Sequence, residues 1–245
     1  MKTALVTGGT SGIGRAVAKY FAGHGYAVII AGSRDGGESV ARDLGEHVTF
    51  KKVDVTDETQ VKALFDGLDG LGVLVNSAGI FIGNDDKGIF NTSAGNFERE
   101  WRVNTFGTFL VCKYAMPALK AAKGTIVNLG SINSVQPDAF AIGYTASKAA
   151  VAMLTKSLAL AHVGDAVRVN AVLPGPIDTP MLHSSFGGQV DGNPDYENWI
   201  KDMPMQRYGK VDDIVKAIAY LADPENTFVT GVLLSVDGGW AAKAF

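Results

Sequence analysis

Tyr144 and Lys148 stand four residues apart in a segment, 143–162, whose apolar residues Val151, Leu154 and Leu158 recur at helical spacing. Their side chains therefore share one helical face. A free phenol titrates near a pKa of about 10, too high for a base at neutral pH, and a neighbouring ammonium favours the phenolate and draws that value down. The pair is expected to donate or accept a proton. Hydride delivery to a carbonyl carbon needs a proton on the carbonyl oxygen, and the reverse reaction needs one removed, so a single phenol serves both directions. Either residue alone on a helix would be ordinary structure. What gives the pair meaning is the rest of the chain.

Near the N-terminus, the apolar run Ala4 to Val6 leads into Thr7-Gly8-Gly9-Thr10-Ser11-Gly12-Ile13-Gly14, and an amphipathic pattern (Ile13, Ala16, Val17, Tyr20, Phe21) follows. Strand, glycine turn and helix in that order form a cradle for a pyrophosphate, because the backbone approaches the anion closely and the helix N-terminus attracts it. Gly8, Thr10, Ser11, Gly12, Ile13 and Gly14 are the expected contacts with a dinucleotide. Proteins that select NAD usually put an acidic residue at the end of the second strand. Here that position is Gly32, followed by Ser33 and Arg34, which suit a 2'-phosphate. NADP is favoured over NAD, with Asp35 as a competing ribose ligand.

The elements that must hold these groups read as alternating strands and helices. Short apolar runs recur at Ala4–Val6, Ala27–Ala31, Val48–Val53, Val73–Val75, Thr125–Leu129, Val167–Val172 and Val232–Val236. Strands apolar on both faces, separated by helical patterns, predict an α/β fold: a parallel sheet of about seven strands covered by helices on each side. With no linker-like stretch or internal repeat, residues 1–245 are expected to form a single domain. Two irregular insertions, 79–96 and 174–204, interrupt the alternation, and such insertions commonly flank a ligand site. The stretch around 176–205 is expected to be a lid over substrate, with Phe81, Phe140, Met181, Phe186, Trp199 and Met203 as candidate apolar walls and His183 as a candidate contact.

Of the 245 residues, 47% are hydrophobic and 19% charged, and the formal net charge is -3. Such a composition is that of a globular chain and supplies no positive field for nucleic acid or an anionic membrane. The one cysteine, Cys112, cannot pair within the chain and is expected to fill the core. Met1 leads directly into the first strand with no signal-peptide pattern, so a cytoplasmic location without membrane or nucleic acid partners is expected. No set of metal ligands is expected.

The spacing Gly-x3-Gly-x-Gly resembles the TGxxxGIG turn of the short-chain dehydrogenase/reductase family. In the family's order there follow Asp54-Val55, Asn76-Ser77-Ala78-Gly79 (similar to the NNAG motif, with one Asn replaced by Ser), Asn104, Ser131, Tyr144-xxx-Lys148 and Pro174-Gly175. The resemblance spans essentially the whole chain. It implies a Rossmann fold and an NAD(P)-dependent hydride transfer between nicotinamide C4 and a carbonyl or secondary alcohol, with Tyr144 as general acid/base. It further implies that Ser131 hydrogen-bonds the substrate oxygen and that Lys148 also holds the nicotinamide ribose. Asn104 would disturb its helix and help hold a water leading from Lys148 to solvent. Cofactor contacts would include Asp54, Val55, Asn76, Ala78, Gly79, Tyr144, Lys148, Pro174, Gly175, Ile177 and Thr179. Small-molecule substrates in the family include 3-oxoacyl thioesters, sugars and polyols, cyclic alcohols and aromatic ketones. The closing segment 231–245, with Asp237-Gly238-Gly239-Trp240, is similar to the tail through which family members form homotetramers.

Three other readings compete. A non-catalytic NADP-binding regulator on the same fold would not need Ser131, Tyr144 and Lys148 together. Sugar-nucleotide epimerases of the related longer type carry an additional C-terminal domain, for which the roughly 70 residues after Pro174 leave little room. Enoyl reductases space their tyrosine and lysine more widely.

Overall fold

The computed structural model describes residues 1–82, 88–188 and 190–243. Among the described residues, seven strands form one sheet: β1 (Lys2–Thr7), β2 (Tyr26–Gly32), β3 (Val48–Lys52), β4 (Val73–Asn76), β5 (Thr125–Leu129), β6 (Arg168–Pro174) and β7 (Leu233–Val236). Their spatial order is β3-β2-β1-β4-β5-β6-β7. Every neighbouring pair is parallel. This is the parallel Rossmann sheet that the apolar runs imply, with strand limits moved by at most two residues.

Consecutive side chains on a strand face opposite ways, and both sets are buried here. Ala4, Val6, Val73, Val75, Val127 and Val172 point into one core with α1 (Gly12–Gly23) and the later helix Val211–Ala222. Leu5, Leu74, Ile126 and Val169 point into the other core with Val61 of the helix Glu58–Leu64 and Leu110, Ala115 and Leu119 of the helix Thr108–Ala122. In chain order the helices are α1, α2 (Gly37–Leu44), α3 (Glu58–Leu64), α4 (Ala94–Glu100), α5 (Thr108–Ala122), α6 (Ile142–His162), α7 (Pro180–Ser184), α8 (Pro194–Asp202) and α9 (Val211–Ala222). Among the described residues, no helix is long and apolar enough to cross a membrane. Cys112 is buried, as expected, and burial pushes its thiol up to about 12, which leaves it unreactive near neutrality.

The strand order reverses between β1 and β4, where one crossover leaves toward β2 and the next returns past β1. Such a switch opens a crevice at the carboxyl ends of the strands. Here the two edges of the crevice are fastened by Thr7, whose Oγ1 accepts the Ser77 and Ala78 N–H groups at 3.1 Å each. The insertion 174–204 contains α7 and α8 over the same end of the sheet. In the insertion 79–96, residues 83–87 lie outside the described residues.

Candidate active site

The glycine turn is built by close approach of backbones. Gly8 has φ +66°, donates its N–H to Ala31 O at 2.8 Å, and would place a Cβ 2.9 Å from the Ala78 backbone. Gly14, one turn into α1, would place a Cβ 2.3 Å from Gly8 O. Ser11 caps α1 without a side-chain hydrogen bond, and no acidic residue stands in the first turn. The leading N–H groups of this helix and its positive end are thus left for an anion. The cradle fits a pyrophosphate.

A cavity of about 610 Å³ opens from this turn, lined by Gly8, Thr10, Ser11, Gly12 and Ile13, then Ser33 and Arg34, Asp54 and Val55, Ala78 and Gly79, and Thr179. The remaining expected cofactor residues lie elsewhere. Gly14 sits behind the turn, where its missing side chain is what matters. Asn76 is 3% exposed and donates Nδ2 to Asn128 Oδ1 at 2.9 Å and to Cys112 Sγ at 3.2 Å, so it ties β4 to β5 and α5 rather than facing the cavity. Pro174 and Gly175 line a second cavity, as does Ile177. Asp35 is not on the wall, because Lys52 holds its carboxylate and keeps it below the usual carboxylate range. The sequence reading missed Arg99, Arg102 and Val103, which line the cavity from the opposite side. Their signal was their position just before Asn104. Among the described residues, none of Arg34, Arg99 and Arg102 is engaged in an ion pair.

The second cavity, about 210 Å³, shares Ile13, Gly79 and Thr179 with the first and is lined by Ser131, Tyr144 and Lys148. Phe81, Ile132, Met181, Leu182 and Trp199 make its apolar wall, and Asn133 and Asp138 add a polar edge. Of the expected wall residues, Phe140 is 70% exposed instead. Phe186 packs edge-on against Tyr196 and Trp199, and Met203 is buried by a separate cavity. His183 pairs with Asp178 rather than facing the cavity. An aromatic in a loop satisfies its hydrophobicity with whatever neighbour the loop supplies, which composition cannot identify.

Lys148 is 6% exposed, and its Nζ donates to Leu129 O at 2.8 Å. Burial lowers its pKa to about 8. Tyr144 goes the other way: burial pushes its phenol up to about 12, the hydrogen bond with Ser131 pulls down, and the negative charge of Glu100 pushes up. The expectation that Lys148 draws the phenol below its free value is not met by the fold itself. Burial of the hydroxyl raises that value, and the ammonium, 5.7 Å from the ring centre, is directed at a strand carbonyl.

Asn104 is fully buried in a π-helical turn, Trp101–Gly107, between α4 and α5. The sequence resemblance implied a disturbed helix, and the widened turn is that disturbance. The Asn104 carbonyl accepts the Thr108 hydroxyl at 2.7 Å. Its side chain spans two elements: Oδ1 accepts Ile80 N at 2.8 Å, and Nδ2 donates to Ile80 O at 2.9 Å and Ser147 Oγ at 3.0 Å.

A family model described as Enoyl-(Acyl carrier protein) reductase matches residues 8–241. The cis-4-hydroxycyclohexanecarboxylate dehydrogenase of Sinomonas cyclohexanicum is 36% identical over 98% of this chain and 97% of that protein. A 3-oxoacyl-[acyl-carrier-protein] reductase of Chlamydia muridarum is 35% identical over 98% of this chain and 97% of its own length. Among solved structures, ElxO with NADP bound is similar with a TM-score of 0.90 at 33% identity, over 99% of both chains.

Proposed function

This chain belongs to the short-chain dehydrogenase/reductase family, and from that premise we propose which residues carry its reaction, which cofactor it prefers and which substrates it takes. It is an NAD(P)-dependent oxidoreductase of CH–OH groups, and the similarities support that reading rather than a non-catalytic regulator.

A bound nicotinamide would supply or take up the hydride. Tyr144 gives its proton to the carbonyl oxygen in reduction and takes it back in oxidation. Ser131 hydrogen-bonds that oxygen and stabilises the charge developing on it. Lys148 holds the nicotinamide ribose and keeps a positive charge beside the phenol, and Asn104 helps hold a water leading from Lys148 to solvent. The observation that carries this assignment is the meeting of Ser131, Tyr144 and Lys148 in a small apolar cavity that shares a wall with the dinucleotide cleft.

NADP is the preferred form. Ser33 and Arg34 line the cleft, while Asp35, the acidic residue beside them, is engaged by Lys52 and is not on its wall. A charge-assisted hydrogen bond to phosphate contributes about 1.5–3 kcal/mol, so Arg34→Ala should lower kcat/KM for NADPH by roughly 10- to 100-fold and leave NADH use nearly unchanged. Unaltered NADPH use in that variant would remove the argument.

The substrate is proposed to be a compact cyclic alcohol or ketone. Support comes from the small cavity walled by Phe81, Met181, Leu182 and Trp199, with 176–205 as its lid, and from the named activity of the Sinomonas relative. The spacing of Tyr144 and Lys148 favours carbonyl reduction over the enoyl chemistry in the family model's description. A screen of cyclic and open-chain ketones and alcohols with NADP and NAD, followed by the absorbance of the reduced nicotinamide, tests this. Activity confined to long-chain 3-oxoacyl thioesters would refute it.

A single-domain protomer working in the cytoplasm as a homotetramer completes the proposal. Trp101 and Phe109, with Met153 and Leu160 of α6, are 43%, 42%, 62% and 80% exposed. Such apolar faces suit a subunit interface. Light scattering should return four times the 25.7 kDa chain mass, whereas a stable monomer would sink the assembly.

A further inference from the structure

Glu100 is 3% exposed, which is unusual for a carboxylate unless its partners are specific. It ends α4, four residues and about one turn before Asn104. The two side chains make parallel contacts. Asn104 joins Ile80 to Ser147 of α6, while Glu100 accepts Ile82 N at Oε1, 2.8 Å away, and its Oε2 lies beside Gly143 of α6. A Cβ on Gly143 would lie 2.6 Å from that Oε2, so the glycine makes room for the carboxylate. Gly143 and Ser147 are themselves four apart on α6. Two rungs, one from the end of α4 and one from the π-helical turn that follows it, thus grip the segment Ile80–Ile82 against α6.

Between the rungs lie the two groups that matter. Phe81 is the residue between Ile80 and Ile82, and Tyr144 follows Gly143. Their rings meet edge to face, with centres 5.0 Å apart at 76°. Phe81 also walls the substrate cavity. We propose that Glu100 is a positioning residue for Tyr144, forming with Asn104 a two-rung latch that seats Phe81 on the phenol ring.

The latch rests on Tyr144 being the acid/base, and it has an electrostatic consequence. The titratable groups around the phenol are Lys148 on its own helix, Glu100 from α4 and Asp138 on the rim of the same cavity. Of these, Glu100 is the one whose charge raises the phenol's pKa. It holds Tyr144 in place and disfavours the phenolate.

Glu100→Gln keeps the shape and removes the charge, and Glu100→Ala removes both. Without substrate, the ultraviolet difference titration of Tyr144, taken against Tyr144→Phe, should shift to lower pH by roughly half a unit or more in Glu100→Gln. In turnover of the best alcohol from the screen with NADP, Glu100→Ala should lower kcat roughly 10-fold with little change in KM for NADP. Its effect should not multiply with that of Phe81→Ala, since both break one arrangement. Thermal midpoints identify a variant that fails to fold, and Glu100→Gln then decides. An unmoved phenol titration in Glu100→Gln, or independent multiplication of the Glu100→Ala and Phe81→Ala effects, overturns the latch. Full activity in Tyr144→Phe overturns the acid/base assignment instead, so the two failures are distinguishable.

Discussion

Tyr144→Phe loses turnover by about 10²–10⁴-fold in both directions, the range general acid–base catalysis supplies, while NADP binding and the thermal midpoint stay close to wild type. The substitution removes one oxygen and retains the ring that packs edge to face with Phe81. The cavity walls are therefore unchanged, and the loss falls on kcat rather than on binding. A variant that turns over the best screened substrate at the wild-type rate would eliminate the proposed mechanism.

The pH dependence separates Tyr144 from Lys148. Because burial holds the phenol near 12, Tyr144 keeps its proton throughout the neutral range and remains a donor for carbonyl reduction. Lys148, pushed down to about 8, is charged below that pH and neutral above it. Reduction should therefore fall as pH rises through about 8, and the limb should belong to the lysine. In Lys148→Arg, whose guanidinium stays protonated, residual activity should show no fall in this interval. A limb that persists there would belong to another group.

Gly14→Ala should weaken NADP and NAD binding alike, by roughly 10- to 100-fold, since forcing a methyl into a packed site costs about 1–3 kcal/mol. The new Cβ would stand 2.3 Å from Gly8 O and 2.8 Å from Gly8 C. Only a shift of the glycine turn relieves that contact, and the turn is what presents its backbone to the pyrophosphate. Both cofactors share the pyrophosphate, so selectivity should be preserved while affinity is lost, in contrast to Arg34→Ala. Isothermal titration with each cofactor makes the comparison. Wild-type affinity would show that the turn tolerates displacement and that the cradle lies elsewhere.

Local chemistry made the framework legible. Strands buried on both faces are apolar at most positions, so β1, β4 and β5 appear as short runs rich in β-branched residues whatever surrounds them. The turn at 7–14 is equally local, because the need for glycine at Gly8 and Gly14 comes from backbones that touch within a few residues or at the next strand. The order of Ser131, Tyr144 and Lys148 was legible through the resemblance to the family rather than through local contacts. Even Asn104 in its widened helix was within reach of motif order.

What sequence order could not contain were relations between side chains on different elements. Whether Lys148 lowers the phenol's pKa depends on how far both groups are buried and where the ammonium points, and burial prevailed. Asn76 belonged to a recognisable motif, yet its partners Cys112 and Asn128 direct it into the sheet. Glu100 belongs to no motif, and only the approach of α6 and the segment after β4 makes it a buried link beside Tyr144. The sequence by itself determined the strands and the phosphate turn, since these depend on contacts close along the chain, and its motif order named the residues proposed to react. The tertiary structure decided protonation, pocket walls and second partners, because each is set by the dielectric and geometry that distant segments create together.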